Sequence, residues 1–182
     1  MKKNTVCLYF GLLVTSLQAA TFTWNGAGTD NNWQTDANWN GGSKPSSDGS
    51  AALAFSGGTR TAAANNFDAD TGFAGINLLN DASSGKTAAF TLSGNRVTLG
   101  GNIVSTTSSA AITDTLSLPL LLNGTRTFTQ NNNHHLAISG VIGETGGSYG
   151  LIKSGGGNLT LNGANTYTGP TVMSGSGQVN FN

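Results

Sequence analysis

The chain has few charged residues, few prolines and a single cysteine. Charged side chains make up 9% of its 182 residues, Glu144 is its one glutamate, and Cys7 is its one cysteine. Helical proteins use Glu and Lys freely, and disordered chains are highly charged or poor in apolar residues, whereas 37% of this chain is hydrophobic. The sequence therefore predicts a folded chain with little helix, without disulfides or metal thiolates.

Glycine and alternating apolar residues are what the chain has in abundance. There are 27 glycines, and Leu159-Thr160-Leu161 alternates apolar and polar side chains as a half-buried strand does. Gly155 to Gly157 and Asn162-Gly163 flank this strand and favour sharp corners. The gaps between such strands are too short for a helix. The pattern indicates a coiling or meandering all-β chain.

The N-terminus carries the features of a secretory signal peptide. Lys2 and Lys3 precede a mostly apolar stretch over residues 6–17, and Ala19-Ala20 offers a cleavage site. This apolar stretch is shorter than the ~20 residues that a membrane-spanning helix needs. We predict a signal peptide over residues 1–20, and export of the rest. The remaining chain would have six basic and eight acidic residues, a balance that attracts neither nucleic acid nor an anionic membrane.

The C-terminal region carries a regular motif over residues 153–172. Its positions are Lys153, Gly155, Gly157, Leu159, Leu161, Gly163, Asn165, Tyr167, Gly169, Thr171 and Val172. This motif resembles the passenger-associated transport repeat, also called the autotransporter-associated β-strand repeat. The resemblance implies a right-handed parallel β-helix in a secreted or surface-exposed bacterial passenger, a segment linked to export, and no reaction.

All three tryptophans lie in one Asn-rich segment near the start of the predicted mature chain. Trp24, Trp33 and Trp39 could stack on sugar rings, with Asp and Asn bonding the sugar hydroxyls. They could instead plug the open end of a solenoid core, which needs a cap because a bare end exposes apolar area and strand edges. The segment also resembles the start of bacterial surface proteins that carry the same C-terminal repeat. We favour the aromatic N-terminal cap.

The middle of the chain reads as short strands divided by Gly and Asn corners. Pro119 interrupts the best of them, residues 116–122, which indicates an edge, a bulge or two strands meeting there. Asn123-Gly124 fits a hairpin or a corner between coils. The alternative to a β-helix is therefore an antiparallel β-sandwich. We divide the chain into the signal peptide (1–20), a Trp-rich cap (21–58), irregular solenoid rungs (59–150) and the repeat (151–182).

Residues that could carry chemistry are scattered. His134-His135 reads as a loop pair, and adjacent strand residues would face opposite ways and share a metal poorly. Asp68 and Asp70 are spaced like the first ligands of a calcium loop, but the later ligands are missing. We predict no catalytic, cofactor-binding or metal site. Other candidates without a supporting spacing are Asp30, Asp36, Asp48 and Glu144 as acids, and Arg60, Arg96, Arg126 and Lys153 as bases.

The sequence as a whole predicts a non-catalytic, secreted or cell-surface module of adhesin-like character. Its expected partners are the export machinery and a surface polysaccharide or a host or neighbouring cell surface, with no nucleic acid. Two alternatives are a carbohydrate-binding module that uses the Trp segment and a β-helical polysaccharide-degrading enzyme. A last coil at Phe181 would expose a strand edge, so self-association is also expected. The ligand, and whether the chain is complete or the front of a longer passenger, stay open.

Overall fold

The computed structural model of the protein describes residues 18–80, 88–107 and 111–182, without the side chains of Asn80 and Thr107. Most of the predicted signal peptide lies outside these residues. Strands and corners dominate, with one short 3₁₀ turn at Asp36–Asn38. Within the described residues, no helix is long and apolar enough to cross a membrane.

The strands form three parallel sheets. Sheet A has the order β1-β2-β5-β8-β11-β14-β16, sheet B the order β17-β15-β12-β9-β6-β3, and sheet C the order β13-β10-β7-β4. Their bounds are β1 Thr21–Trp24, β2 Ala52–Ser56, β3 Ala62–Asn65, β4 Thr71–Phe73, β5 Gly75–Asn80, β6 Thr91–Gly94, β7 Val97–Leu99, β8 Ile103–Thr107, β9 Ile112–Leu116, β10 Leu120–Leu122, β11 Arg126–Gln130, β12 His134–Ile138, β13 Ile142–Glu144, β14 Leu151–Ser154, β15 Leu159–Leu161, β16 Thr171–Met173 and β17 Val179–Phe181.

Successive strands visit sheets A, B and C in turn, so the chain winds as a right-handed parallel β-helix of about five turns. Every pairing between these strands is parallel, which confirms the predicted solenoid and excludes the antiparallel sandwich. Each coil lies directly on the next. Leu136 pairs with Leu159, for example, and Leu159 with Val179.

The core is a column of apolar side chains inside the coils. Strand residues alternate between facing inward and outward, so Leu120 and Leu122 are buried while Leu121 between them is half-buried. Phe55, Phe73, Phe90 and Phe128 add aromatic layers. Because each coil covers the apolar face of the one beneath, the core is continuous along the solenoid.

The structure settles the two irregular points of the sequence. Strand β9 ends at Leu116 and β10 begins at Leu120, so Pro119 lies in the corner where two strands meet. Asn123-Gly124 forms the corner between β10 and β11 rather than a hairpin turn. Residues 62–74, within the predicted irregular rungs, supply strands β3 and β4.

Residues 21–50 also follow the solenoid path, in irregular form. Strand β1 pairs with β2, Asn32 forms a parallel bridge to Ala64 in β3, and Asp48 forms one to Gly72 in β4. The Trp-rich segment therefore passes above all three sheets in the same order as a coil. Its loops replace two of the three strands.

Candidate functional site

The repeat segment builds the last full coil that the structure describes and the start of the next. From Leu151 to Thr171 every second residue turns inward, through β14, across the corner, along β15 and around the third side. Eleven positions match the motif, and ten of them belong to this inward set; Val172 is exposed. The motif is thus largely the interior lining of one coil.

Lys153 is the one charged member of this lining. It lies in β14, in register between Phe128 below and Met173 above, and its side chain is fully buried. Its Nζ donates a hydrogen bond to the carbonyl oxygen of Gly155 at 2.5 Å. Burial lowers the pKa of Lys153, because the charged ammonium is poorly solvated inside the coil.

Glycines of the motif stand where the coil presses on its neighbour. A Cβ at Gly157 would overlap the carbonyl oxygen of His134, and one at Gly155 would overlap that of Gln130. Gly155 also has a φ of +78°, which favours glycine. The amide of Gly157 donates to Gln130 O at 3.0 Å. The corner is therefore hydrogen-bonded to the previous coil and closed to side chains.

The third side of the repeat coil lacks a strand, and polar side chains replace it. Asn165 Oδ1 accepts a hydrogen bond from the amide of Ile142 in β13 at 2.8 Å. Tyr167 packs its ring against the core, and its hydroxyl lies 2.6 Å from Thr171 Oγ1. Gly163 and Gly169 lie against the backbone of the coil below. These contacts hold residues 162–169 in place without a ladder.

Glu144 joins this third side to the preceding loop. Its Oε1 accepts hydrogen bonds from the Thr168 hydroxyl (2.6 Å) and the Thr168 amide (2.9 Å), and its Oε2 accepts one from the Tyr149 amide at 2.6 Å. The Thr168 hydroxyl, followed by the Tyr149 amide, lowers the pKa of Glu144. The glutamate that the sequence left as an isolated acid is thus an anchor for the repeat coil.

The three tryptophans lie inside the first turn. Trp24, Trp33 and Trp39 are each at most 1% exposed and all pack around Phe55, with ring centroids 5.2–6.0 Å from it. Trp24 and Trp39 meet edge to face at 5.3 Å. No indole face is open to a sugar ring in this arrangement, which favours the cap interpretation over sugar stacking.

Asn38 holds the loops around these indoles. It is fully buried, its Oδ1 accepts the Gly28 amide at 2.9 Å, and its Nδ2 donates to the carbonyls of Asp30 and Asn32 at 3.0 Å. Trp39 Nε1 donates to Trp33 O at 2.7 Å. Asn38 therefore provides hydrogen-bond partners for backbone groups of the loops between the tryptophans, where no regular strand pairing does so.

His134 was wrongly predicted to lie in a loop. It begins β12, is fully buried, and its Nε2 lies 2.5 Å from Asp114 Oδ2, which is also buried. Asp114 Oδ1 accepts the amide of Phe90 at 2.7 Å. His135 faces outward, and its Nδ1 accepts the amide of Asn158 at 3.0 Å. Only the alternation of β9 and β12 could have indicated that Asp114 and His134 face the same interior.

The remaining charged candidates are engaged in local hydrogen bonds and ion pairs. Asp70 forms an exposed ion pair with Arg96, with Nη2 to Oδ2 at 2.8 Å. Asp48 accepts hydrogen bonds from Ser46 and Ser50, and Asp36 lies 3.8 Å from Lys44. In the described ranges, no group of three or more His, Cys, Asp or Glu side chains could hold a metal ion.

Comparison with known proteins gives one positive result. No curated protein and no solved structure matches the chain. Residues 151–175 match the family model described as the passenger-associated-transport-repeat. The matched residues are β14, β15, β16 and the corners between them, which hold the ten motif positions on the inward side of the coil. The chain thus carries a match to the passenger-associated transport repeat over one coil of a β-helix, and this combination fits a module of the autotransporter passenger type.

Proposed function

We propose that this chain is a non-catalytic structural module, exported to the cell surface or beyond, and that its outer faces make adhesin-like contacts. The observation that carries the proposal is that the matched repeat coincides with one coil of the solenoid, whose buried residues are positions of the repeat motif. A segment associated with passenger transport here has a structural task, which is to complete and stabilise a coil.

A coil of this kind suits export because each coil contacts only its neighbours. A folded coil offers a strand edge on which the next can form as the chain emerges, without disulfides. Lys153, Gly157 and Asn165 fix the repeat coil by contacts within itself or with the coil below. We infer that the coil resists unfolding back through the export route, and that this is its contribution to transport.

The outer face of sheet B supports the adhesin-like role. One column of outward residues on successive coils is Thr91, Thr115, Ala137 and Thr160, and its neighbour is Ser93, Ser117, Ser139 and Asn162. These hydroxyl and amide groups carry no charge. Hydroxyl and amide groups of this kind can donate and accept hydrogen bonds with polysaccharide hydroxyls on a neighbouring cell or host surface.

A catalytic role is disfavoured by where the titratable residues lie. The buried acid–base pair Asp114–His134 is closed to a substrate, and Glu144 has accepted hydrogen bonds on both oxygens. Asp30, Asp48 and Asp70 have lowered pKa values through hydrogen bonds with adjacent groups, so they stay ionised rather than serving as proton donors.

The export role is tested with two glycine variants of the protein expressed in its own cells. Gly157→Ala introduces a methyl group against His134 O, whereas Gly58→Ala places one in open space. We expect Gly157→Ala to lower the protease-accessible surface fraction several-fold and Gly58→Ala to leave it unchanged. Normal display of a Gly157→Ala protein that unfolds at a lower temperature would refute a role for the repeat coil in export.

Surface contact is tested separately with purified protein on a panel of cell-surface polysaccharides. Thr115→Arg and Thr160→Arg add bulk and charge to sheet B, and Thr106→Arg makes the same change on sheet A. Binding that is lost in the first two variants and kept in the third supports the sheet B face. Equal binding by all three would move the contact elsewhere on the surface.

A further inference from the structure

The corner between β11 and β12 encloses an unusual group of polar side chains. Ser105 in β8, Gln130 at the end of β11 and His134 at the start of β12 are each fully buried. Within residues 18–80, 88–107 and 111–182, four of their side-chain atoms have no hydrogen-bond partner: Ser105 Oγ, Gln130 Nε2, Gln130 Oε1 and His134 Nδ1. Buried polar atoms are paired in the great majority of cases, so four exceptions in one corner require a physical explanation.

Ser105 and Gln130 lie side by side on adjacent coils. They are register partners in the parallel pairing of β8 with β11, and both side chains are buried in the interior. Neighbouring strands of a sheet lie about 4.8 Å apart. Ser105 Oγ is one bond from its Cβ, and Gln130 Cδ is two bonds from its own Cβ. Rotations within the two side chains can therefore bring Oγ against Cδ without a shift of the backbone.

The backbone of the corner places His134 next to this pair. The amide of Asn131 donates a hydrogen bond to Ser105 O at 3.1 Å, and the amide of His134 donates one to Asn131 O at 2.9 Å. Strand β12 also approaches β8 directly. The three buried side chains of Ser105, Gln130 and His134 therefore share one part of the interior.

The hydrogen bond to Asp114 decides which nitrogen of His134 can accept a proton. His134 Nε2 lies 2.5 Å from Asp114 Oδ2, and a carboxylate accepts hydrogen bonds. In the neutral ring the hydrogen is therefore on Nε2, and Nδ1 keeps its lone pair. A hydroxyl, an imidazole and a carboxylate are the groups that activate a serine for attack on an acyl carbon. Here the acyl carbon beside the serine is the side-chain amide of Gln130.

We propose that Ser105 and Gln130 join in an intramolecular ester, with His134 as the base and Asp114 as the residue that positions its ring. Ser105 Oγ forms a bond to Gln130 Cδ while the hydroxyl proton passes to His134 Nδ1. The Cδ–Nε2 bond of Gln130 then breaks, and the nitrogen takes that proton and leaves as ammonia. The step needs no oxidant, no cofactor and no substrate from outside the chain.

The ester removes the donors that the interior leaves without an acceptor. These are the hydroxyl hydrogen of Ser105 and both amide hydrogens on Gln130 Nε2. Burial keeps water away from the acyl carbon, which favours attack by the neighbouring hydroxyl over hydrolysis. The product ties β8 to β11, in a chain whose single cysteine cannot form an internal disulfide. The reaction occurs once in each chain, and the inference is independent of the proposed function.

Mass spectrometry of the purified full chain tests the proposal. Loss of ammonia in the acyl transfer should make the protein about 17 Da lighter than its sequence requires. Trypsin cuts after Arg96, Arg126 and Lys153, so it separates the peptide that contains Ser105 from the one that contains Gln130. We expect peptides 97–126 and 127–153 to be found joined. Hydroxylamine, which cleaves esters, should separate them.

Variants identify the groups that react. Ser105→Ala removes the nucleophile and Gln130→Glu removes the ammonia, so each should give two separate peptides at the full mass of its sequence. His134→Gln should lower the joined fraction at least about tenfold after the same incubation, because the base is lost. Ser117→Ala is the matched control and should stay joined, since Ser117 is an exposed serine in the same tryptic peptide.

Three results would overturn the proposal. The first is a wild-type protein of full mass whose two peptides separate. The second is a loss of ammonia confined to one peptide, as a succinimide at Asn123 would give. The third is a Ser105→Ala protein whose peptides remain joined. Circular dichroism establishes that each variant is folded. If His134→Gln fails to fold, the wild-type protein and Ser105→Ala, which removes a single oxygen atom, still decide the question.

Discussion

Asn165 Oδ1 accepts the amide hydrogen of Ile142 at 2.8 Å, where a further strand of sheet C would otherwise bind β13. The Asn165 side chain thus supplies the hydrogen-bond acceptor that a backbone carbonyl of a further strand would supply. Asn165→Ala should lower the free energy of unfolding by about 1–3 kcal/mol, since the partly buried amide of Ile142 loses its acceptor.

Denaturant unfolding measures this loss. Asn162→Ala is the control, because the Asn162 side chain is exposed and its amide oxygen accepts a hydrogen bond from the Asn182 side chain, which is exposed too. An Asn165→Ala protein as stable as the control would show that the third side of the coil is held by other contacts.

Gly157→Ala should destabilise the protein by at least about 1–3 kcal/mol, because the new methyl group meets the carbonyl oxygen of His134 and the backbone must shift. Gly58→Ala adds the same methyl group where nothing lies within 4 Å. Thermal unfolding of both variants compares the two effects directly. Equal midpoints would mean that the corner yields without cost.

Protonation of Glu144 should lower the free energy of unfolding in acid. Its pKa in the folded protein is lowered from about 4.5 by the Thr168 hydroxyl and the Tyr149 amide, so its contribution is present above pH 4.5 and is lost as the pH falls through the folded-state value. Glu144→Gln should flatten that part of the stability profile. A variant profile parallel to the wild-type one would remove Glu144 as the cause.

Lys153 should act in the opposite pH range. Burial lowers the pKa of Lys153 in the folded protein from about 10.5. Between the folded-state pKa and about 10.5, the unfolded chain therefore binds a proton that the folded chain has released. The free energy of unfolding rises with pH across this window. Lys153→Met keeps the length of the side chain and removes the charge. We expect it to unfold no earlier than wild type at pH 7 and to lose the alkaline rise. Lys44→Met, at an exposed position, should retain that rise.

The tryptophan cluster should be inert toward sugars and essential to the first turn. A soluble quencher should hardly reduce the fluorescence of the folded protein, and polysaccharide titration should not shift it, because all three indoles are buried. Trp39→Ala should cost about 3–5 kcal/mol through lost packing on Phe55. A saturable fluorescence shift with a polysaccharide would restore the carbohydrate-binding alternative.

The repeat coil could be recognised from the sequence because its alternation never breaks. Leu151 pairs with Thr171 one coil later, twenty residues on. Because this separation is even, every second residue of the segment faces the interior without a break. Phe128 pairs with Lys153, twenty-five residues on, so the alternation is interrupted at a corner in that coil. In that coil the two-residue periodicity does not predict which residues face inward across the corner, although its strands are as regular as those of the repeat coil.

The buried polar groups could not be predicted for the same reason. Asp114 and His134 meet because β9 and β12 are adjacent in register, and that register depends on corner lengths that the sequence does not reveal. The pattern of residues 62–74 is less regular, since Ala and Gly in β3 and β4 give little of the apolar–polar contrast by which a strand is recognised. The size of Trp24, Trp33 and Trp39 was enough to suggest that they plug the end of the core. The role of Asn38 could not be predicted in this way, because it depends on a hydrogen bond with Gly28, ten residues away.

The unbroken alternation from Leu151 to Thr171 also limits how this segment can change in length. One residue inserted in β15 would turn Leu161 out to solvent and bring a polar neighbour into the core, and the error would persist to Thr171. Two inserted residues would restore the facing but displace Asn165 from Ile142. Viable length variants of the repeat should therefore add or remove whole coils, while single-residue changes collect in the corners of the other turns.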